Sequence, residues 1–137
     1  MFHKILLPLD LTEKHQPAIR TAIDLAKSHG GEILLFHVIE SIAGVPLTES
    51  FYEKLTHVAQ SFLSRLQREV TESGVRCQCK VVIGHRVQDS SAYAAESAAD
   101  LIIVTAPKFD AQSPAPSLGS LSYRISILAP CPVLIVK

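Results

Sequence analysis

The sequence predicts an α/β fold built on an open, five-stranded parallel sheet with helices on both faces. Five short apolar runs alternate with segments in which apolar residues recur at helical spacing. Such alternation is typical of parallel sheets, because a helix must carry the chain back before the next parallel strand can begin. The predicted strands cover residues 5–9, 33–39, 75–83, 101–106 and 133–136.

Length and composition predict one domain over residues 1–137, because this length buries a sizeable core and no change in composition divides it. Thirteen basic and thirteen acidic residues balance, which argues against nucleic acid or an anionic membrane as a partner. The first apolar run is too short for a signal peptide or a membrane span. The three cysteines form no disulfide framework, so we expect the protein in the cytoplasm.

The first two helices follow from caps and apolar spacing. Asp10 and Thr12 are two possible N-caps of the first helix, and Glu13 follows Asp10 at the spacing of a capping box. Gly30 and Gly31 end that helix. A long second helix is predicted to stop near Gly74, with an inward face made of Phe51, Leu55, Val58, Ala59, Phe62, Leu66 and Val70.

The strand at 75–83 alternates apolar and polar residues, which predicts a half-exposed edge strand. Cys77 and Cys79 point to one face of it, where a role as small buried hydrophobes is favoured over a metal or redox role. Gly84 leads into a third helix with Val87, Ala94, Ala95 and Ala98 facing inward. The last helix carries Leu121, Ile125 and Leu128 and ends before Pro130.

The segment after the fourth strand carries most of the functional information. Gly119 and Ser120 follow Ala106 by thirteen and fourteen residues and open the last helix. Ligands bind at the carboxyl ends of strands in open parallel sheets, and the free amides of a helix start favour an anion. The intervening residues 107–118 contain three prolines and Phe109 but no glycine.

Six segments follow one another along the chain: ILLPLD at 5–10, LFHV at 35–38, VIG at 82–84, ADLIIV at 99–104, LGS at 118–120 and APCPVLIV at 129–136. They give the chain a resemblance to the universal stress protein family over essentially its whole length. It implies the adenine nucleotide alpha hydrolase-like fold with strand order 3-2-1-4-5. The switch point then lies between strands 1 and 4, with Asp10 and Ala106 side by side.

The nucleotide-binding branch of the family carries glycine, two residues, glycine, nine residues, and glycine followed by serine or threonine. Aligned on Gly119 and Ser120, the first two glycines are replaced by Ala106 and Phe109, while the spacing is kept. Glycine permits positive φ and lets backbone amides approach phosphate. The resemblance therefore implies reduced affinity for ATP or AMP, or a small anion at the Gly119–Ser120 helix start.

Several residues are candidates for ligand binding by this resemblance, and each has a structural alternative. Asp10 would face adenine and ribose or cap a helix, and Ser120 would bind phosphate or act only as an N-cap. Lys108 could pair with phosphate or stay solvated, and Phe109 could stack on a base, fill the pocket or make a dimer contact. The full candidate set is Pro8, Asp10, Val38, Ala106, Gly119, Ser120 and Ser122. For Pro8 and Val38 the alternative is packing at the strand end.

No catalytic or metal-binding motif supports an enzyme. The sequence has no GxSxG, Walker lysine or HExxH pattern, and its six histidines show no spacing that converges on zinc. The favoured function is a regulatory stress-response module that has lost stable ATP binding and acts on an unidentified protein partner. The alternatives are an adenine-nucleotide sensor, with slow hydrolysis or autophosphorylation as some family members show, and a dedicated enzyme.

The last strand predicts a homodimer. Residues 133–136 are apolar with no charge until Lys137, yet the implied strand order places them at a sheet edge. An open apolar edge invites aggregation unless something covers it. A two-fold partner could pair its own 133–136 strand antiparallel, as the family often does.

Overall fold

A computed structural model describes residues 1–41, 48–107, 112 and 120–137. Gly119, Lys108 and Phe109, which the sequence analysis singled out, lie outside these residues. Five parallel strands form one sheet in the order β3-β2-β1-β4-β5. They are β1 (Lys4–Pro8), β2 (Glu32–Glu40), β3 (Arg76–Gly84), β4 (Leu101–Thr105) and β5 (Val133–Val136). The predicted fold class and strand order are both confirmed.

Two helices cover each face of the sheet. They are α1 (Gln16–His29), α2 (Glu49–Glu72), α3 (Arg86–Glu96) and α4 (Leu121–Leu128). One core cluster joins α1 and α2 to Ile5 and Leu7 of β1, and the other joins α3 and α4 to Leu6. All three β1 side chains are fully buried. A central strand must be apolar on both faces, which is why its sequence is a continuous apolar run.

The register brings the ends of β1 and β4 together. Ile5 of β1 pairs with Leu101 of β4, while Pro8 at the end of β1 pairs with Phe36 of β2. Asp10 and Ala106 therefore follow neighbouring parallel strands, as the resemblance implied. This edge of the sheet is where the strand order reverses, the position at which open α/β sheets bind ligands.

The start of α1 corrects one prediction. Neither Asp10 nor Thr12 caps this helix, because a 3-10 turn (Glu13–His15) comes first and α1 begins at Gln16. His15 is the N-cap residue and Pro17 occupies the first turn, where a missing N–H costs no hydrogen bond. The Asp10 carboxylate instead accepts a hydrogen bond from the backbone N–H of Thr12 at 3.1 Å.

Several residues predicted to be buried are exposed. On β3, Cys79 is exposed, because an edge strand has a neighbour on one side only. Ala98 also faces solvent, since it lies beyond the end of α3 with φ of 57° and adopts the left-handed conformation of a helix terminus. The remaining cases are Phe51, Val58, Ala95 and Leu128, which lie on helix surfaces turned away from the sheet.

None of the helices in the described part of the chain is both long and apolar enough to cross a membrane.

Candidate functional site

A cleft of about 560 Å³ opens at the carboxyl ends of β1 and β4. Five of the seven candidate residues line it: Pro8, Asp10, Ala106, Ser120 and Ser122. Val38 lines a small adjoining recess that shares Pro8 and Asp10 with the cleft. The structure thus brings together every candidate residue that it describes.

Pro8 and Val38 are built into the sheet and its core. Pro8 ends β1 and is buried, and the Val38 side chain is 4% exposed and packs with Phe36 and Val82. Their packing alone accounts for their residue types. They therefore shape the inner wall of the site and present little side-chain surface to a ligand.

The Asp10 carboxylate is the centre of a hydrogen-bonded group on the β1 side of the cleft. Lys14 Nζ lies 2.7 Å from Oδ2, and His15 Nε2 lies 2.8 Å from Oδ1. Partial burial acts to raise the pKa of Asp10, but the hydrogen bonds from Lys14, Thr12 and His15 together outweigh it and hold the pKa well below its usual value. Asp10 is therefore ionised at neutral pH.

His15 connects this group to β4. Its side chain is buried, and its Nδ1 lies 2.7 Å from Thr105 Oγ1 on the neighbouring strand. Burial lowers the pKa of His15 below its usual value, and the nearby charge of Asp10 only partly opposes that effect. The imidazole is therefore neutral at pH 7, although it contacts a carboxylate.

Cationic side chains outnumber acidic ones around the cleft. Lys14, Arg86 and Lys137 line it, and Asp10 is the only acidic side chain among its described lining residues. Arg86 Nε lies 3.6 Å from Glu40 Oε1, and both side chains are about half exposed. Exposed ion pairs of this kind are weak, so Arg86 can exchange its partner for an anionic ligand at little cost.

The start of α4 borders the cleft. Ser120 is the N-cap of this helix, and its hydroxyl accepts a hydrogen bond from the backbone N–H of Tyr123 at 3.2 Å. Ser122 is buried, with its Oγ 3.3 Å from that of Ser120. The N-cap role expected as one alternative for Ser120 is present, and the positive end of the helix still favours an anion nearby.

The amide of Ala106 is already used within the sheet. Its N–H donates to the carbonyl of Val136 at 2.7 Å, which extends the pairing of β4 with β5. This N–H is therefore not free to hold a phosphate. The side chain at position 106 still borders the cleft, where glycine stands in the nucleotide-binding pattern.

Sequence analysis did not single out His15, Thr105 or Arg86. Two signals were present: His15 follows Asp10 by five residues, and Thr105 is the only polar residue in an otherwise apolar strand. Among the described residues, no group of three or more His, Cys, Asp or Glu side chains is placed to hold a metal ion.

Residues 1–137 match the model of a family described as "Universal stress protein family". The chain is 26% identical to universal stress protein YxiE of Bacillus subtilis (strain 168), and the match covers all of both chains. It is 28% identical to universal stress protein MJ0531 of Methanocaldococcus jannaschii, over all of this chain and 83% of that protein.

Two solved structures with the same fold are complexes. A universal stress protein in complex with cAMP is 16% identical, with a TM-score of 0.79 over 98% of this chain and 97% of that one. The universal stress protein from Archaeoglobus fulgidus in complex with dAMP is 15% identical, with a TM-score of 0.71 over all of both chains. At these identities the likeness establishes the fold.

Proposed function

Because the chain belongs to the universal stress protein family, we propose that it is a regulatory stress-response module whose cleft binds an adenine nucleotide weakly and which acts as a homodimer. The observation that carries this proposal is the cleft at the β1/β4 switch point, lined by five of the candidate ligand residues. The altered residues Ala106 and Phe109 account for weak binding. Three free cysteines suit the reducing cytoplasm as its location.

Adenine as the ligand class is supported by the two complexes of the same fold. The ligands named for those proteins, cAMP and dAMP, each carry adenine and one phosphate group. A single phosphate places less demand on a glycine-rich loop than a triphosphate does. The sensor alternative, in which such a nucleotide controls the module, is therefore favoured over a dedicated ATPase.

Side-chain cations supply the charge that such a phosphate needs. Lys14, Arg86 and Lys137 reach the cleft from three different parts of the chain. A hydrogen bond to a charged group contributes about 1.5–3 kcal/mol, so one arginine contact is a sizeable share of a weak affinity. Binding by side chains in place of loop amides is the mechanism proposed for this altered site.

Calorimetry with ATP, AMP and cAMP tests the ligand. We expect weak binding of each, and a loss of about tenfold or more in Arg86→Gln, from the contribution of one charge-assisted hydrogen bond. Arg76→Gln is the matched control, because Arg76 is an exposed arginine at the start of β3 and does not line the cleft. Tight ATP binding, or no binding at millimolar concentrations, would contradict the proposal.

The exposed apolar surface beside β5 supports the homodimer. Leu134 and Ile135 on this edge strand are 38% and 41% exposed, and Ile127 and Leu128 on α4 are 62% and 57% exposed. Backbone groups on the outer side of β5 are also open to pairing among the described residues. A second copy of the chain would cover both, while a different regulatory protein could bind elsewhere on the module.

Leu134→Glu tests the dimer. We expect light scattering to fall from twice the 14.9 kDa chain mass to the mass of one chain, because a buried unpaired charge is costly at an interface. Ile83→Glu on the opposite edge strand is the control, since Ile83 is similarly exposed at 50%. A wild-type protein of single-chain mass, or a folded Leu134→Glu variant that stays dimeric, would refute this interface.

A further inference from the structure

Cys77 and Cys79 place two thiols side by side on the edge strand β3. Side chains two residues apart in a strand point to the same face, about 6.6 Å apart along it. On this face β3 packs against α2, and Cys77 is half-buried against the core cluster that contains Leu63 of that helix. Cys79 is exposed, contrary to the favoured role as a small buried hydrophobe. A metal ion in solution can therefore reach the pair.

The two thiols contact each other and have only weak further partners. The Cys77 thiol hydrogen-bonds to the Cys79 sulfur, and this bond lowers the pKa of Cys79. The Cys79 Sγ lies 3.6 Å from the carbonyl oxygen of Leu63, and the Cys77 Sγ lies 3.9 Å from that of Gln78. Thiols are weak donors, so a metal ion that replaces their protons breaks no strong hydrogen bond.

A disulfide bond is the alternative for two adjacent cysteines, but the strand geometry disfavours it. Bonded sulfurs require Cβ atoms about 3.5–4.5 Å apart, whereas parallel side chains in a regular strand hold theirs about 6.6 Å apart. The strand is regular here, because Cys77 pairs with Ile33 of β2 and Cys79 pairs with Leu35. An ion between the sulfurs lengthens the bridge, since each metal–thiolate bond adds about 2.3 Å. The undistorted strand therefore fits a bridging ion better than a disulfide bond.

The number of ligands selects the kind of ion. Thiolates are soft ligands, and they favour Cu(I), zinc and iron–sulfur clusters. Structural zinc sites and iron–sulfur clusters use four protein ligands, but the described part of the chain places no third Cys, His, Asp or Glu beside this pair. Cu(I) is satisfied by two thiolates in a nearly linear arrangement, and it is the form that copper takes in a reducing compartment.

We propose that the thiolates of Cys77 and Cys79 bind one soft monovalent cation, Cu(I), as a two-coordinate bridge. Binding releases the proton of each thiol to solvent and changes no oxidation state. The core residues against Cys77 exclude water from one side of the ion, and the exposed Cys79 provides its entry path. Neither cysteine lines the cleft at the ends of β1 and β4, so the site is independent of the proposed nucleotide function.

The test titrates the reduced full chain with Cu(I), in the absence of oxygen, against a coloured chelator that competes for the ion. We expect one Cu(I) per chain, with two sulfur neighbours by X-ray absorption. Cys77→Ser and Cys79→Ser should each weaken binding by about a hundredfold or more, because losing even an outer-shell partner of a metal ligand costs about ten- to a hundredfold. Zinc should bind far more weakly than Cu(I), since two of its four ligands are missing.

Cys131→Ser is the matched control. Cys131 is also a free, half-buried thiol, but it packs against the other core cluster, which contains residues of α3 and α4. This variant should bind Cu(I) as tightly as the wild type does. Thermal unfolding identifies any variant that fails to fold. Cys79→Ser changes an exposed side chain and keeps the test decisive if Cys77→Ser does not fold.

Each outcome counts for or against a site within one chain. Equimolar Cu(I) binding that both β3 variants weaken, with no change in oligomeric mass, supports the inference. Half an ion per chain, with a larger mass than the copper-free protein has, would overturn it, because two chains would then share the ion at their exposed edges. Failure to take Cu(I) from the chelator, unchanged binding in Cys79→Ser, or loss of binding in Cys131→Ser would also overturn it. A Cys77–Cys79 disulfide formed in place of bound copper would do the same.

Discussion

The two walls of the cleft are built in different ways. On the β1 side, Asp10, Lys14 and His15 come from six consecutive residues, and side-chain hydrogen bonds hold them in place. On the β4 side, Ala106 and Ser120 are separated by thirteen residues. In the nucleotide-binding branch of the family, whose full glycine pattern this chain lacks, the resemblance implies that the second wall holds phosphate through backbone amides and glycines.

The difference determines which contacts with a ligand depend on the backbone and which depend on side chains. Replacing two glycines alters the backbone conformations open to the β4 wall but leaves the side-chain contacts of the β1 wall intact. Under the proposed function, backbone contacts with phosphate can therefore weaken while the side-chain contacts of the cleft persist. The most direct way to examine the contrast is to restore one wall and measure the response to ligands that differ in their phosphates.

Restoring the glycines should have the largest effect. The double variant Ala106→Gly with Phe109→Gly should bind ATP about a hundredfold more tightly, if it regains about two charge-assisted hydrogen bonds to phosphate. The gain must come from peptide groups beyond residue 106, because the Ala106 N–H is already bonded to Val136. Calorimetry measures this directly.

AMP is the matched ligand for that experiment. Its single phosphate should gain less than the triphosphate, because it can accept fewer of the restored backbone hydrogen bonds. Equal gains for ATP and AMP would show that Phe109 had blocked the base or sugar and not the phosphates. No gain for either ligand would place the cause in Pro107, Pro114 and Pro116 or in the cationic residues.

The fold and the candidate site differ in how much of each could be predicted from the sequence. β4 was predicted at 101–106 and is Leu101–Thr105, because a strand covered on both faces needs a continuous apolar run. The candidate residues also gather at one cleft, because the order of parallel strands brings their ends together. Strands and helices whose apolar pattern follows directly from burial could therefore be predicted from the sequence.

The His15–Thr105 contact was not predictable by the same means. The two residues are 90 positions apart, and their contact depends on a 3-10 turn in place of the expected capping box. Capping-box spacing is satisfied by Asp10 and Glu13, but the Asp10 carboxylate bonds to Thr12, Lys14 and His15 instead. A local sequence pattern cannot indicate which of these hydrogen bonds Asp10 forms, because the outcome depends on a contact with a strand that is distant in the sequence.

Lowering the pH should first weaken the hydrogen-bonded group of Asp10, Lys14 and His15. His15 has a folded-state pKa below its ordinary value of 6.5, so the unfolded chain takes up a proton that the folded chain excludes. The free energy of unfolding should therefore fall as the pH drops below about 6.5. Asp10 adds a second loss of the same sign as the pH drops through its ordinary value of 3.8, because its folded-state pKa is lowered too.

Urea denaturation across this pH range, with His15→Gln as the variant, measures the first loss. The variant should lose stability at neutral pH but show a flatter dependence between pH 7 and pH 5, since glutamine takes up no proton. His57→Gln, on an exposed face of α2, should keep the wild-type slope and serves as the control. A wild-type slope in His15→Gln would mean that another group carries the acid dependence.

The smallest expected effect concerns the start of α4. It can be measured separately by comparing two similar N-cap residues, of which one borders the cleft. Ser120 and Thr48 are the N-caps of α4 and α2, and each accepts a hydrogen bond of 3.2 Å from a backbone amide three residues later. Alanine at either position should lower the free energy of unfolding by about 1 kcal/mol. Only Ser120 borders the cleft, so only Ser120→Ala should also weaken AMP binding, by a few-fold, through a less ordered helix start. Calorimetry on both variants at equal fractions folded makes the comparison. Equal AMP affinity in the two variants would show that the anion is held by Lys14, Arg86 and Lys137 and not by the helix.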